Sequence, residues 1–363
     1  MIEDVELFRL EVPLRKPYKL SFGPVHHFDT ILVRVIADGR AGFGEATILT
    51  GYTDEDIEGS WRLAQSLAGS LPGLSFPAAK ATLADPFARA PFTATAFTTA
   101  IEMCEGSALL DVPTSTEVLV LAGIEETTAP SLEAEIERLL AAGFRTLKVK
   151  VGFDPDLDAA RVKSIQRLVR GRAQLRIDAN QGYSPEQACR FACSVDPEGT
   201  ELFEQPCAAA DWEAAAIVAN ASPLPLMLDE SIYGEADIER AATLKSIAFI
   251  KLKLMKVGSL ERLALALERI RELGMEPVLG NGVATEIGCW MEACVARSRI
   301  RNAGEMNGFL RQRIRLAPDC LAVRRGHLVL DKSPVLDIAA VASLTVDRTH
   351  CTRQPVLARG WSA

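Results

Sequence analysis

The chain has 363 residues, 48% of them hydrophobic, which is enough to bury a large core in what we expect to be two domains. Its net charge of −8, without a long run of either sign, argues against a nucleic-acid or anionic-membrane partner. We find neither a secretory signal nor an apolar stretch near the roughly 20 residues that span a bilayer, so we expect a cytoplasmic protein. The eight dispersed cysteines form no Cys-x-x-Cys pair and are predicted to be small buried hydrophobes.

The first part of the chain is predicted to be α+β. Residues 2–15, 28–37 and 40–47 carry apolar, β-branched runs that predict three antiparallel strands. Helical patterns follow over about 53–69, 76–88 and 95–110. Strands and helices do not alternate here, and we assign residues 1–115 to a first domain.

From residue 116 onward strands and helices alternate. The predicted strands are EVLVLAGI, RTLKVKVG, LRIDAN, LFEQP, LPLMLDE, IAFIKLKL, EPVLGN and a weaker RIRNAGE. Ser131, Asp154 and Ser184 are the predicted N-caps of the first three helices between them. Eight strands joined by helices predict a β/α barrel over residues 116–318. A doubly wound open sheet is the alternative, but LAGIEETT is a poor match to its glycine-rich phosphate turn. Residues 319–363, including the predicted strand HLVLD, are expected to return to the first domain.

Five charged residues stand near the ends of successive predicted barrel strands: Lys150, Asp178, Glu204, Asp229 and Lys253. They follow one another at intervals of 28, 26, 25 and 24 residues, about the length of one strand plus one helix. Because the carboxyl ends of barrel strands meet at one mouth, we expect all five side chains to reach the same site. Three acids there imply a divalent cation, and two flanking lysines imply proton transfer.

The three acids offer hard oxygen ligands from separate strands, without a histidine or cysteine companion. This set suits Mg²⁺ or Mn²⁺ rather than zinc. Asn180, two residues beyond Asp178, is a candidate to support the metal ligands. A single such acid would as readily cap a helix or pair with a surface base, and the nearly equal spacing of three argues against that explanation.

The lysines follow the alternation of strand side chains. Lys148 is expected on the same face as Lys150, and Lys251 one layer below Lys253, with Lys256 on the following loop. A basic strand end that meets solvent is the alternative, but the acids on neighbouring strands supply the compensation that buried lysines need. Neighbouring cations and a metal are expected to lower a lysine's pKa, so that it can act as a base near neutrality.

The ordered segments GFGEA, KVKVG, RIDANQGYS, FEQP, LDES and KLMKVGS resemble the enolase superfamily. The resemblance is to its muconate-lactonizing-enzyme subgroup, which includes dipeptide epimerases, N-succinylamino acid racemases and o-succinylbenzoate synthases. It implies an α/β fold, a modified TIM (β/α)7β barrel with an α+β capping domain completed by the C-terminal segment. It also implies that the cap covers the barrel mouth and that its loop around Ser21–Asp29 contributes to specificity.

The resemblance also implies roles for individual residues. Lys150 and Lys253 would form the acid/base pair on opposite faces of the substrate, while Lys148 would help to hold the substrate carboxylate. The implied Mg²⁺ ligands are Asp178, Glu204 and Asp229. The shared chemistry is removal of the proton α to a carboxylate through an enediolate. Protonation from the other face inverts the centre, whereas loss of a β-leaving group gives elimination.

Departures from the family's patterns bear on the substrate. GEMNG puts Glu305 and Asn307 where dipeptide epimerases usually carry an Asp-x-Asp motif for the substrate's ammonium group. One carboxylate and one amide could still hold an amine, so we expect a small, amine-bearing carboxylate. Ala284 stands where cycloisomerases and synthases usually have a glutamate, with Glu286 displaced, and this argues against muconate and succinylbenzoate chemistry. His26 is expected at the surface, like its neighbour His27.

We therefore expect an Mg²⁺-dependent racemase or epimerase of a small amino-acid-derived carboxylate. The alternative is a dehydratase of a hydroxy amino acid such as cis-3-hydroxy-L-proline, which would use the same enediolate. A non-catalytic metal-binding barrel is the third hypothesis. We also expect a homo-oligomer, although the sequence does not specify its size.

Overall fold

The computed structural model describes residues 1–20, 23–49, 53–244 and 246–353. It has an α/β fold in which a four-stranded antiparallel sheet with its helices forms a cap on a curled sheet of seven parallel strands. The expected fold class, a modified β/α barrel with an α+β capping domain, is confirmed. Within the described ranges, no helix is both long and apolar enough to cross a lipid bilayer.

The cap is built from three long strands and four helices. They are β1 (Ile2–Leu20), β2 (Gly23–Ala37), β3 (Arg40–Ile48), α1 (Ile57–Ser70), α2 (Phe76–Thr82), α3 (Ala84–Arg89) and α4 (Pro91–Glu105). Helix α4 lies directly on β3, because Gly42 and Gly44 leave room for its backbone: a Cβ atom on Gly44 would stand 1.9 Å from the carbonyl oxygen of Ala96. The predicted helix 76–88 is divided at Leu83 into α2 and α3.

Seven parallel strands form the barrel sheet. They are β5 (Ala122–Ile124), β6 (Thr146–Lys150), β7 (Gln174–Asp178), β8 (Thr200–Glu204), β9 (Leu226–Leu228), β10 (Ile247–Leu252) and β11 (Glu276–Leu279), paired in this order. The helices in and around the barrel are α5 (Ala129–Ala141), α6 (Pro155–Val169), α7 (Pro185–Ser194), α8 (Trp212–Ala221), α9 (Glu235–Ala242), α10 (Leu254–Val257), α11 (Leu260–Glu272) and α12 (Glu286–Arg299). Short 3-10 turns occupy Ala108–Leu110 and Gly308–Arg311.

The first and last predicted barrel strands differ from the prediction. EVLVLAGI is split, since β4 (Thr116–Leu119) belongs to a separate three-stranded sheet and only β5 joins the barrel. The predicted eighth strand, RIRNAGE, is reduced to a bridge between Gly304 and Val120. Gly304 and Glu305 nevertheless close the ring, because Leu121 N–H donates to Gly304 and Glu305 N–H donates to Leu279 of β11.

The last segment of the chain serves two sheets. Strand β14 (Thr345–Thr352), after helix α13 (Ile338–Leu344), pairs antiparallel with β1 and completes the cap sheet in the order β14-β1-β2-β3. The predicted strand HLVLD does not join the cap. It forms β13 (His327–Leu330), between β12 (Leu321–Arg324) and β4 in the small sheet.

Two of the three predicted N-cap residues cap their helices in the structure. The side chain of Asp154 accepts hydrogen bonds from two N–H groups of α6, and Ser184 forms a reciprocal capping box with Gln187 at α7. The prediction for Ser131 is wrong: α5 begins at Ala129, with Pro130 in its first turn, and Ser131 lies inside the helix.

All eight cysteines are free in the described part of the chain. Five of them are buried, whereas Cys193 is exposed. The expectation of a buried side chain is therefore wrong for that residue.

Candidate active site

The five predicted residues lie together at the carboxyl end of the barrel. Lys150, Asp178 and Glu204 are the last residues of β6, β7 and β8, and they are direct neighbours in the sheet register. Asp229 follows β9 by one residue, and Lys253 follows β10 by one residue. Five adjacent strands thus present five charged side chains to one space, with the lysines at the two sides and the acids between them.

Each outer lysine pairs with the acid beside it. Lys150 Nζ lies 2.6 Å from Asp178 Oδ2, and Lys253 Nζ lies 2.8 and 2.6 Å from the two carboxylate oxygens of Asp229. The side chain of Lys150 is 41% exposed and that of Lys253 only 9%. One amine is therefore open to the mouth, while the other is enclosed.

A second pair of lysines lies beneath the first and bridges the three acids. Lys148 Nζ is 2.8 Å from Asp178 Oδ2 and 3.0 Å from Glu204 Oε2. Lys251 Nζ is 3.0 Å from Glu204 Oε1 and 3.7 Å from Asp229 Oδ2. The predicted strand faces thus agree with these positions, and each buried ammonium group has carboxylate partners that offset its desolvation.

The charges around the acids set the direction of their pKa values. Burial would raise the pKa of Asp178, but Lys148 and Lys150 outweigh it and lower the pKa to about 2. Glu204 behaves in the opposite way, because burial and the charge of Asp178 raise its pKa. Neighbouring acids therefore repel one another at this end of the barrel.

The pKa of Lys253 is set by two opposing effects, and its expected lowering by a bound metal stays a prediction. Burial favours the neutral amine, but the contact with Asp229 outweighs burial and raises the pKa. Lys256 has a lowered pKa of about 8, because burial dominates there. Its expected place on a loop is wrong: Lys256 is a buried residue of α10, and its Nζ donates to the Asp229 carbonyl at 3.0 Å.

Glu305 and Asn307 lie deep in the same space. Glu305 Oε2 is 2.8 Å from Lys148 Nζ and also contacts Lys251 Nζ, so its charge is shared by two lysines. Asn307 Nδ2 donates to the Leu121 carbonyl at 3.1 Å, and its buried Oδ1 has no hydrogen-bond partner among the described residues. Asn307 Oδ1 is therefore an acceptor that the described side chains leave unused.

Sequence reasoning missed the contribution of Gln205, which follows Glu204 in FEQP. Its side-chain oxygen accepts hydrogen bonds from the backbone N–H groups of Asp229 and Ser231 at 3.0 and 3.2 Å, and its Nε2 donates to Ser231 Oγ at 2.8 Å. The amide thus fixes the loop that carries Asp229. The φ angle of Gln205, 35°, lies in the left-handed region and indicates a locally constrained backbone.

Glu230 was also missed, although it stands beside Asp229 in the sequence. Its carboxyl accepts from Asn180 Nδ2 at 2.8 Å, and Asn180 in turn contacts Lys150 Nζ. Burial, helped by the charges of Asp229 and Asp178, raises the pKa of Glu230 to about 7. Asn180 therefore connects Lys150 to Glu230, and its support of the metal ligands stays a prediction.

The donor set fits a hard divalent cation. Asp178, Glu204 and Asp229 are almost completely buried carboxylates on adjacent strands, and their oxygens meet at the ammonium groups of Lys148 and Lys251. Lysines supply the positive charge of this cluster in the structure, and its all-oxygen composition suits Mg²⁺ or Mn²⁺.

Three predicted features lie outside this cluster. Ser21 of the expected specificity loop lies outside the described residues, and residues 23–29 begin β2. His26 and His27 are exposed, as predicted, and His27 Nε2 lies 3.8 Å from Asp29 Oδ2. Glu286 is buried at the start of α12, where it pairs with Arg315 rather than facing the acids.

Comparison with known proteins identifies the family. Residues 131–334 match the family model described as enolase C-terminal domain-like. The L-Ala-D/L-Glu epimerase of Clostridium acetobutylicum is 30% identical over 77% of this chain and 82% of its own length. The chain belongs to the enolase C-terminal domain-like family. The predicted resemblance to the enolase superfamily is thereby confirmed, as is the expectation of an isomerase of that superfamily.

Solved structures share the whole architecture. The dipeptide epimerase from Cytophaga hutchinsonii, complexed with Mg and the dipeptide D-Ala-L-Val, gives a TM-score of 0.87 at 23% identity, over 97% of this chain and 100% of that chain. Muconate lactonizing enzyme from Pseudomonas putida gives 0.84 at 24% identity, over 95% and 99%. At these identities the likeness concerns the fold, in which barrel and cap occur together.

Proposed function

We propose that this family member is an Mg²⁺-dependent racemase or epimerase that removes the proton α to the carboxylate of a small amino-acid derivative. The arrangement that carries the proposal is the placement of Lys150 and Lys253 on either side of three buried acids. Two amines on opposite sides of one substrate carbon can remove a proton from one face and return it to the other.

Asp178, Glu204 and Asp229 are the residues that would hold Mg²⁺, with Mn²⁺ as a substitute. When bound there, the cation supplies Lewis-acid polarisation of a substrate carboxylate. Lys148 lies against two of these acids and would place an ammonium charge beside that carboxylate. The positive charge of Lys148 then stabilises the enediolate as it forms.

The lysines exchange roles between the two directions of the reaction. When Lys150 Nζ is the amine that accepts the α-proton, Lys253 Nζ is the ammonium that donates to the opposite face. The reverse reaction begins at Lys253. Enclosure of Lys253 limits access of water to its amine, so that the proton it holds goes to the substrate.

The substrate is proposed to carry an N–H group near Asn307. The unpaired Oδ1 of Asn307 is a suitable acceptor, whereas Glu305 is already shared by Lys148 and Lys251. Dipeptides and N-acylated amino acids both offer such a donor. The names of the relatives, including the L-Ala-D/L-Glu epimerase of C. acetobutylicum, favour a dipeptide.

Proton NMR in D₂O tests the proposal. The full chain with Mg²⁺ is incubated with both epimers of dipeptides and N-acylated amino acids, and the α-proton signal is followed. We expect loss of that signal together with inversion, and no reaction by the Lys150→Ala, Lys253→Ala double variant. An enamine or imine product would establish elimination instead, and the absence of exchange from every α-amino or α-amido carboxylate would contradict the proposal.

A further inference from the structure

Helix α10 is a single turn that begins directly after Lys253. The first backbone N–H of this turn, from Leu254, donates to Glu292 Oε1 at 2.9 Å. Glu292 lies on α12, one of the outer barrel helices, and its side chain is fully buried. A carboxyl group 38 residues away in sequence therefore holds the peptide unit that joins Lys253 to Leu254.

The position of Glu292 is costly for a carboxyl group. A buried polar group that lacks partners lowers the stability of the fold by at least as much as the loss of a hydrogen bond. Glu292 Oε2 has no hydrogen-bond partner among the described residues, and burial raises the pKa of the group to about 8. A leucine or methionine at position 292 would pack α12 without this penalty. Packing alone therefore does not explain the carboxyl group of Glu292.

The cap holds the same turn from the other side. Thr95 Oγ1, on α4, lies 3.2 Å from the carbonyl oxygen of Met255 and 2.6 Å from that of Pro91, so its single hydroxyl proton is shared between two acceptors. Between these contacts lies a cavity of about 20 Å³ whose lining includes Glu45, Thr95 and Glu292. That volume holds about one water molecule, so Glu292 can be solvated internally while it keeps Leu254 in place.

We propose that Glu292 is a positioning residue for Lys253, and this inference rests on the proposed function. By fixing the first peptide of α10, the carboxyl group directs the enclosed amine toward one face of the substrate carbon. Thr95 supports the same turn from the cap. Lys150 lies on β6 and does not depend on this contact, so the effect of Glu292 is confined to one face.

Glu102 provides a matched comparison within the chain. It is also a buried carboxyl that accepts from a backbone N–H at the start of a barrel helix, since Leu260 N–H of α11 donates to its Oε2 at 2.8 Å. Burial raises its pKa as well. Loss of Glu102 should destabilise the protein in a similar way, without a connection to either lysine.

The test compares α-proton exchange from the two epimers of one substrate in D₂O with Mg²⁺. Lys253→Ala first identifies the epimer whose exchange needs Lys253, and Lys150→Ala identifies the other. We expect Glu292→Leu to slow exchange of the Lys253-dependent epimer about 10- to 100-fold and the other by less than about twofold, since small misplacements of a reacting group have effects of this size. Glu292→Gln should recover most of the rate, because its amide oxygen can accept the same N–H. Glu102→Leu should leave the ratio of the two rates unchanged.

Equal slowing of both epimers by Glu292→Leu, or no slowing of either, would overturn the positioning role while leaving the proposed function intact. Absence of exchange by the wild-type chain would instead refute the proposed function. If Glu292→Leu does not fold, Thr95→Val can replace it, since it removes the other hydrogen bond to α10. Thr95→Val should likewise slow exchange of the Lys253-dependent epimer only.

Discussion

Glu45, on the last strand of the cap sheet, accepts a hydrogen bond from the backbone N–H of Thr285 at 2.7 Å. Thr285 is the N-cap of barrel helix α12, and its hydroxyl donates to the same carboxyl group. The contact joins residues 240 positions apart and ties the cap to the barrel beside the cavity that Glu292 also lines. The cap–barrel contact thus contains a titratable group.

This contact predicts a pH-dependent stability. Burial raises the pKa of Glu45 to about 7, so between about pH 4.5 and 7 the folded state binds more protons than the unfolded chain. The free energy of unfolding therefore falls as pH rises through this window. In Glu45→Gln the fall should be smaller by on the order of 3 kcal/mol. Denaturant unfolding at several pH values measures it, and parallel curves for wild type and variant would contradict the prediction.

Removal of the Glu305 carboxylate should affect both stability and activity. Glu305→Gln leaves Lys148 and Lys251 with one negative partner fewer, and breaking such a buried pair costs about 3–5 kcal/mol. Glu201→Gln is the control. Glu201 on β8 pairs with buried Arg176 on β7 and does not contact Lys148 or Lys251. Thermal unfolding should show a lower Tm for both variants. An activity assay of the folded proteins should show a loss only in Glu305→Gln. Full activity of Glu305→Gln would show that the site does not need this negative partner of Lys148 and Lys251.

The packing of α4 on β3 predicts a strong effect of one methyl group. Gly44→Ala would place a Cβ atom 1.9 Å from the carbonyl oxygen of Ala96, and we expect a loss of about 1–3 kcal/mol or more. Gly69→Ala introduces the same group in α1, where nothing lies within 4 Å, and should be neutral or stabilising by about 0.5–1 kcal/mol. Equal unfolding free energies of the two variants would show that the close approach is absent.

Metal binding should be visible in stability before any substrate is known. A ligand that binds only the folded state at 100 times its Kd adds about 2.7 kcal/mol, so Mg²⁺ should raise the Tm and EDTA should reverse the effect. Asp229→Asn should abolish most of this shift, and the surface change Glu137→Gln, far from the acids in sequence and exposed, should leave it unchanged. An equal Mg²⁺-induced shift in Asp229→Asn would exclude this residue as a ligand.

The sequence was sufficient to predict which residues meet at the barrel mouth. A repeat of one strand plus one helix returns the chain to the same edge of the sheet, so Asp178 and Glu204 could be expected as neighbours. Strand alternation likewise predicted that Lys148 lies on the same face as Lys150. These inferences depend only on local period, and the structure has both pairs in the expected positions.

Other parts of the site could not be predicted because they depend on tertiary contacts. Glu292 and Glu45 carry no periodic signal, and their partners lie 38 and 240 residues away. The prediction of an eighth strand was wrong for a similar reason. Gly304 closes the ring through single hydrogen bonds rather than a β-ladder. Ser131 was misassigned because two other residues with helix-starting preferences, Thr128 and Pro130, precede it.

Strand β14 has a consequence for the order in which the protein is assembled during synthesis. Strand β1 is synthesised before the barrel, but its outer neighbour β14 is encoded after the barrel. Until then the nascent chain exposes an unpaired edge of a long strand, which is a site for aggregation or for binding by a chaperone. The cap sheet can therefore be completed only after the barrel has been synthesised.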